Sequence, residues 1–404
     1  MKIAYSFFIY IYGGLISIVS LFNKKAHLLS KGQGQCFKVL KESIDSQCEY
    51  VWFHAASLGE FEQGRPVMEQ IKTEQPNTKI LLTFFSPSGY EVRKNYGGAD
   101  VICYLPLDTP SNAKRFLKMV NVSKAIYIKY EFWPNFLLEL QNNNIPVYSI
   151  SSIFRPNQVF FRWFGGWYMN ILRTFKHIFV QDDFSNQLLI SHDIQNVTVA
   201  GDTRFDRVVD VSKKSKSIAV VQQFIGNCQR VIVAGSSWPK DEELLIRYLN
   251  EHVDVKLILV PHEIHEAHLL GIFKMLNNNY VRYTQANVSD LQTSNCLVVD
   301  TIGLLSSIYQ YADIAYIGGG FGVGIHNTLE AAVWRIPVVF GSNFQKFREA
   351  RELISAGGAF SVADYDLLKI QLDKLFDDKK AGEIAGDYVK TNTGATGLIL
   401  KYLM

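Results

Sequence analysis

A short apolar run followed by a longer amphipathic stretch recurs along most of this chain, and nothing else limits its fold as strongly. The runs fall at 50–54, 79–84, 100–104, 125–128, 146–150, 177–180 and 197–200, and again at 230–234, 255–260, 296–299, 313–317 and 336–340. Alternation of this kind argues for parallel strands with helices on both faces of the sheet. The series breaks over a charged, serine-rich stretch at 201–226. The sequence therefore predicts an α/β protein of two doubly wound domains joined there. A length of 404 residues agrees, because it exceeds what one core ordinarily serves. A hydrophobic fraction of 48% excludes a disordered chain.

Residues 3–22, IAYSFFIYIYGGLISIVSLF, contain no charge. As a helix they would cross roughly 30 Å of hydrocarbon. No small-residue cleavage site follows; Asn23-Lys24-Lys25 and Lys31 come instead. Positive charge after the segment predicts a retained anchor over 1–23, with the remaining chain on the cytoplasmic side. The net charge of +3 is too small to argue for nucleic acid. It is uneven, at +5 for residues 1–205 and −2 for the rest, so the first half suits an anionic partner. The five cysteines form no Cys-x-x-Cys pair and read as reduced thiols. RPNQVFFRWFGGWYMNILRTFK (155–176) interleaves cations with aromatic rings, which suits the headgroup layer of a membrane.

Three strand ends carry the chemistry. In WFHAASLGEFEQGRP (52–66) the chain turns small after an apolar run and then offers Glu60 and Glu62. A helix start favours an acid there for its dipole alone, but the tight strand-to-helix turn also lets backbone approach a ligand closely, with the acid at its mouth. In DIAYIGGGFGVGIHNTLEAAVWRIPVVF (313–340) a strand runs into Gly318, Gly319, Gly320, Gly322 and Gly324, and His326-Asn327-Thr328 then opens a helix bearing Glu330. Glycines and a helix N-terminus suit phosphate, and Glu330 suits ribose hydroxyls. No Gly-x-Gly-x-x-Gly or Walker frame fits. Ala234-Gly235-Ser236-Ser237-Trp238 suits another phosphate or sugar contact. His262, His265 and His268 invite a metal, but on one helix 268 lies about 240° from 262, so no metal site is expected.

With these residues in view, the chain resembles the 3-deoxy-D-manno-octulosonic acid (Kdo) transferases over nearly its full length. FHAASLGE resembles that family's HAASxGE, YEFWPN (130–135) its TELWPN, and GDTRFD (201–206) its GNxKFD. AGSSWPKDEE (234–243) is close to AGSTHxGEE, and DTIGLLSSIYQYADIAYIGGGF (300–321) to DTxGEL with a following valine-glycine-glycine strand end. GIHNTLEAA (324–332) resembles GGHNxLEPA, and FGSNFQKFRE (340–349) resembles FGPHxxNFRE. The chain departs from the family at Lys129, where many members carry glutamate. It departs also at Pro261-His262-Glu263, in place of Pro-Arg-His, at Lys346 for asparagine, and at Arg204 for lysine.

The resemblance implies the GT-B fold: two facing Rossmann-like domains, at 24–205 for the acceptor and 206–404 for the nucleotide sugar, behind the membrane-anchoring helix. The last helix is expected to pack back on the first domain. It implies inverting transfer of Kdo from CMP-Kdo to lipid IVA, a lipid A precursor, at the cytoplasmic leaflet of the inner membrane, with no cofactor and no metal. Glu60 is the implied general base. Ser57, Arg65 and Glu131 are candidates for the acceptor. Arg204, Ser236, Ser237, Pro261, His262, Gly320, Gly324, His326, Asn327 and Glu330 are candidates for the donor. A GT-B enzyme using a UDP-sugar, or an inactive membrane-associated binding protein, is the competing expectation.

Overall fold

A computed structural model describes residues 1–277 and 279–404. The chain forms two compact units, Met1–Asp206 with Thr393–Met404, and Arg207–Asn392. The first opens with helices α1 (Lys2–Val19) and α2 (Lys24–Ser43), divided by Asn23, whose side chain caps α2 by accepting from the Lys25 and Ala26 amides. Its seven strands are β1 (Tyr50–Ala55), β2 (Lys79–Phe84), β3 (Val101–Tyr104), β4 (Val122–Ile128), β5 (Val147–Ser152), β6 (His177–Val180) and β7 (Val197–Val199). They pair in parallel in the order β3-β2-β1-β4-β5-β6-β7. Order reverses at β1, which lies between β2 and β4.

Burial explains why β1 reads as an unbroken apolar run. Tyr50 and Trp52 enter the core on one face of the sheet, while Val51, Phe53 and Ala55 enter the core on the other. Helix α3 (Leu58–Glu74) covers the second face through Phe61, Val67, Met68 and Ile71. The C-terminal helix Ala395–Leu403 adds Ile399, Leu400 and Leu403 to that core. Asp206 starts this helix by accepting from the Gly394 and Thr396 amides at 2.6 and 2.7 Å. The Lys124 ammonium closes its other end by donating to the Leu403 carbonyl.

Helix α1 is long and apolar enough to cross a membrane. It nevertheless makes specific contacts with its own unit. The Tyr5 hydroxyl donates to Asp108 at 2.7 Å, Ser6 donates to Asn135, and Tyr5 packs on Trp167. Phe7, Phe8, Ile11, Leu15, Ile18 and Phe22 stay exposed. The 155–176 stretch is not one helix. A 3-10 turn at Val159–Phe161 buries Phe160, Trp163 stands 95% exposed beside exposed Phe164, and a helix then covers Gly166–Leu172.

The second unit repeats the plan with β8 (Val231–Ser237), β9 (Lys256–Pro261), β10 (Tyr280–Arg282), β11 (Cys296–Val298), β12 (Ile314–Ile317), β13 (Val338–Gly341) and β14 (Ala359–Val362). The order is β10-β11-β9-β8-β12-β13-β14, again parallel, with the reversal at β8. Strands β10 and β14 have no counterpart among the predicted runs, and both lie at the sheet edges. Crevices outside the carboxyl ends of the strands at such reversals are where doubly wound sheets take ligands.

Candidate active site

In the first unit the reversal lies between β1 and β4; the segments that follow those two strands carry Ser57 and, in the first turn of α3, Glu60 after β1, and Lys129 and Glu131 after β4. Ser57 is the N-cap position of α3 but makes no side-chain cap. Glu60 closes the turn instead, accepting from the Ala56 amide at 2.5 Å. This is the first-turn acid that the dipole favours, yet it is only 9% exposed. Burial and then the neighbouring Glu131 carboxylate push Glu60 up to about 7, against the Ala56 and Ser57 amides and the Lys129 ammonium.

Glu131 is held by the Trp133 indole and lies beside His54, whose Nε2 is also 3.0 Å from that indole. The indole donates to the Glu131 carboxylate at 2.7 Å, and His54 Nε2 lies 3.2 Å from the same carboxylate. His54 is fully buried, with Nδ1 at 2.8 Å from the Thr83 hydroxyl, so it reads as a satisfied core histidine that orients Glu131. Lys129 has φ 66°, a left-handed conformation uncommon outside glycine. Its backbone is fixed by donation to the Ile150 carbonyl and by acceptance from Ser152. Arg65 faces elsewhere: its guanidinium pairs with Glu69 at 2.7 Å and Glu62 at 3.6 Å.

Arg204 belongs to the first unit. Its guanidinium pairs with Asp202 at 2.7 Å, and Asp202 also accepts from Gln63, one turn along α3 from Glu60. The Thr203 hydroxyl donates to the Gln63 carbonyl. Burial opposes charge on Asp202, but Arg204 outweighs it and keeps the acid below its usual range. The GDTRFD segment is thereby fastened to α3.

In the second unit the reversal lies between β8 and β12. Ser236, with φ 53°, and Ser237 end β8, Pro261 ends β9, and the glycine run follows β12. Exposed His262 stacks on Trp238 at 4.8 Å and 20°, and its ring lies 4.6 Å from His326. The Trp238 indole donates to His326 Nε2 at 3.2 Å. Burial, then His262, lower His326 to about 4, so it is a neutral ring at neutral pH.

The glycines answer first to packing. A Cβ at Gly318 would lie 2.2 Å from the Ser236 carbonyl oxygen, and one at Gly320 would lie 2.4 Å from the Gly341 nitrogen. Gly319, at φ 91°, donates its amide to Asp241 at 2.8 Å. Gly324 has φ 103°. Gly322 has open space around it. The helix after His326-Asn327-Thr328 is only Leu329–Ala332, too short for the dipole expected of it. Glu330 accepts from Ser306 at 2.7 Å and Asn327 at 3.1 Å, so a ribose would compete with protein donors. Nor do the three histidines share a helix: it begins at Glu266, and His265 caps it.

Sequence reasoning missed Asp241, which is buried and joins the Trp238 amide, Gly319 amide and Tyr316 hydroxyl. Its place three residues after Trp238 is a capping spacing and was the available signal. Thr83, Asp108 and Ser306 carried none.

The sequence model of the family "3-Deoxy-D-manno-octulosonic-acid transferase (kdotransferase)" matches residues 31–207. The 3-deoxy-D-manno-octulosonic acid transferase of Aquifex aeolicus is 28% identical over 364 residues, covering 87% of this chain and 94% of the relative. The chain is a relative of the Kdo transferases. The Haemophilus influenzae Kdo transferase is 25% identical over 375 residues, covering 87% and 86%. Among solved structures, UDP-GlcNAc 2-epimerase of Neisseria meningitidis aligns at TM-score 0.61 and 15% identity, over 88% of this chain and 99% of that one. MurG of Acinetobacter baumannii aligns at 0.55 and 13%, over 88% and 98%. These likenesses carry the fold, two Rossmann-like units of the GT-B class, which this Kdo transferase relative shares.

Proposed function

We propose that the protein is an inverting glycosyltransferase that moves Kdo from CMP-Kdo to lipid IVA, the phosphorylated, acylated glucosamine disaccharide of the cytoplasmic leaflet. The observation that carries the reading is Glu60: a buried carboxylate at the first unit's switch point, with affinity for a proton near neutrality. The acceptor hydroxyl attacks the anomeric carbon while the C–O bond to the CMP phosphate breaks. Glu60 takes the hydroxyl proton, and its charge faces the oxocarbenium character that develops. CMP leaves with the bonding electrons as a stable anion, so no general acid is required. Attack opposite the leaving group inverts the anomeric centre.

Glu131 shares the acceptor side with Glu60 and Ser57, and the basic Lys129 meets an acceptor phosphate or carboxylate. On the donor side, Ser236, Ser237, His262 and the Gly320–Glu330 segment hold the nucleotide, with His262 as the ring available to stack on the base. Arg204 serves the donor's negative charge. Exposed α1 side chains with Trp163 and Phe164 embed in the lipid interface; the contacts of Tyr5 and Ser6 favour a helix lying along the membrane, not one crossing it.

Purified protein given CMP-Kdo, generated in place, and lipid IVA should yield an acceptor heavier by whole Kdo residues. UDP-GlcNAc should yield nothing. Turnover of the UDP-sugar, or lipid binding with no product, overturns the reading.

A further inference from the structure

The segment after β9 departs from the family's Pro-Arg-His at Pro261-His262-Glu263, and Glu263 stands beside two histidines further along, His265 and His268. A carboxylate oxygen of Glu263 and one imidazole nitrogen each of His265 and His268 all lie within 4.8 Å of one another. His265 Nε2 is 3.2 Å from Glu263, and the His265 and His268 rings are 5.7 Å apart. The three converge because the helix starts only at Glu266, which lets Glu263 and His265 fold back over its first turn.

A second observation comes from behind the cluster. His268 Nε2 lies 2.8 Å from Glu242, a carboxylate only 1% exposed at the start of the Pro239–Glu251 helix. Glu242 takes its other bond from the Ser237 hydroxyl at 2.9 Å. Among the described residues, none of its hydrogen bonds comes from lysine or arginine. The helix start offsets part of its charge. With Nε2–H given to Glu242, His268 has Nδ1 left as a ligand, and a carboxylate behind a ligating imidazole is the usual support of such a site. A cation at Nδ1 would also compensate the buried charge.

We infer that Glu263, His265 and His268 bind a first-row divalent cation, with Glu242 as the buried carboxylate that orients His268. Two imidazoles and a carboxylate suit zinc, with water completing the shell. His262 immediately precedes Glu263, so the ion braces the loop that carries the ring stacked on Trp238. Metal binding here does not depend on the transfer reaction being the one proposed.

The test uses full-length protein without a histidine tag, stripped with chelator and titrated with Co2+. A saturable visible absorption at one equivalent is expected, displaced by Zn2+. H265Q/H268Q should abolish it, and H262A should keep it. Because His265 caps a helix, E263A and E242Q provide the check if the double variant does not fold. Each should weaken Co2+ binding about tenfold or more. No saturable band in the wild type, a band that survives H265Q/H268Q, or unchanged affinity in both E263A and E242Q overturns the proposal.

Discussion

At the first unit's switch point a carboxylate is buried beside a second carboxylate and under the influence of a lysine; at the second unit's, an indole, two imidazoles and a glycine run occupy the corresponding strand ends. The backbone plan is the same, with strand order reversing at β1 in one and at β8 in the other. Each reversal even carries a non-glycine residue in the left-handed region, Lys129 and Ser236. The side chains divide the labour. Glu60, raised to about 7, is fit to exchange a proton at neutral pH. In the second unit Asp241 and Glu330 spend their oxygens on protein donors, and His326, lowered to about 4, stays neutral. The proposed function assigns proton transfer to the first crevice and ligand holding to the second.

The largest effect that can break this division is expected from Glu60→Gln. It removes the base without adding bulk, so turnover should fall by about 10²–10⁴ while donor affinity stays within twofold. Calorimetric titration with CMP against a product assay separates the two. The mirror-image change is His262→Ala, which should weaken CMP binding by roughly tenfold through lost stacking and leave the pH profile of the remaining activity unmoved. A shifted profile would mean that the second unit also handles protons.

Packing supplies a further contrast. Gly320→Ala forces a methyl against the Gly341 backbone and should cost about 1–3 kcal/mol, read from urea unfolding, whereas Gly322→Ala, in open space, should change stability little. The smallest expected change concerns Lys129, which pulls Glu60 down. Lys129→Ala should move the rising limb of the pH–rate curve to higher pH.

Much of this architecture was legible beforehand. Twelve strands coincide with apolar runs because a doubly covered parallel sheet must be apolar on both faces, as at β1. The two that escaped, Tyr280–Arg282 and Ala359–Val362, are edge strands. Each is short and carries a polar residue, Arg282 or Ser361, because an edge is buried less completely. At the sites, the residue types were legible but their partners were not. Sequence puts an acid at 60; only the fold brings Glu131 and Lys129 near it and raises its affinity for protons. Glu330 looked available for ribose until Ser306, from a different segment, came to occupy it. The histidines failed as a helical set because the helix starts at Glu266, a boundary that no proline or glycine announces.

The central claim, that Glu60 is the base for Kdo transfer, is met most directly by single-turnover rates with CMP-Kdo and lipid IVA across pH 5–9. The carboxylate is active when ionised, and its pKa is raised to about 7, so the wild-type rate should climb through that value and level off above it. Glu60→Gln should be slow and lack that step. A Glu60→Gln enzyme that follows the wild-type curve at the wild-type rate would contradict the account.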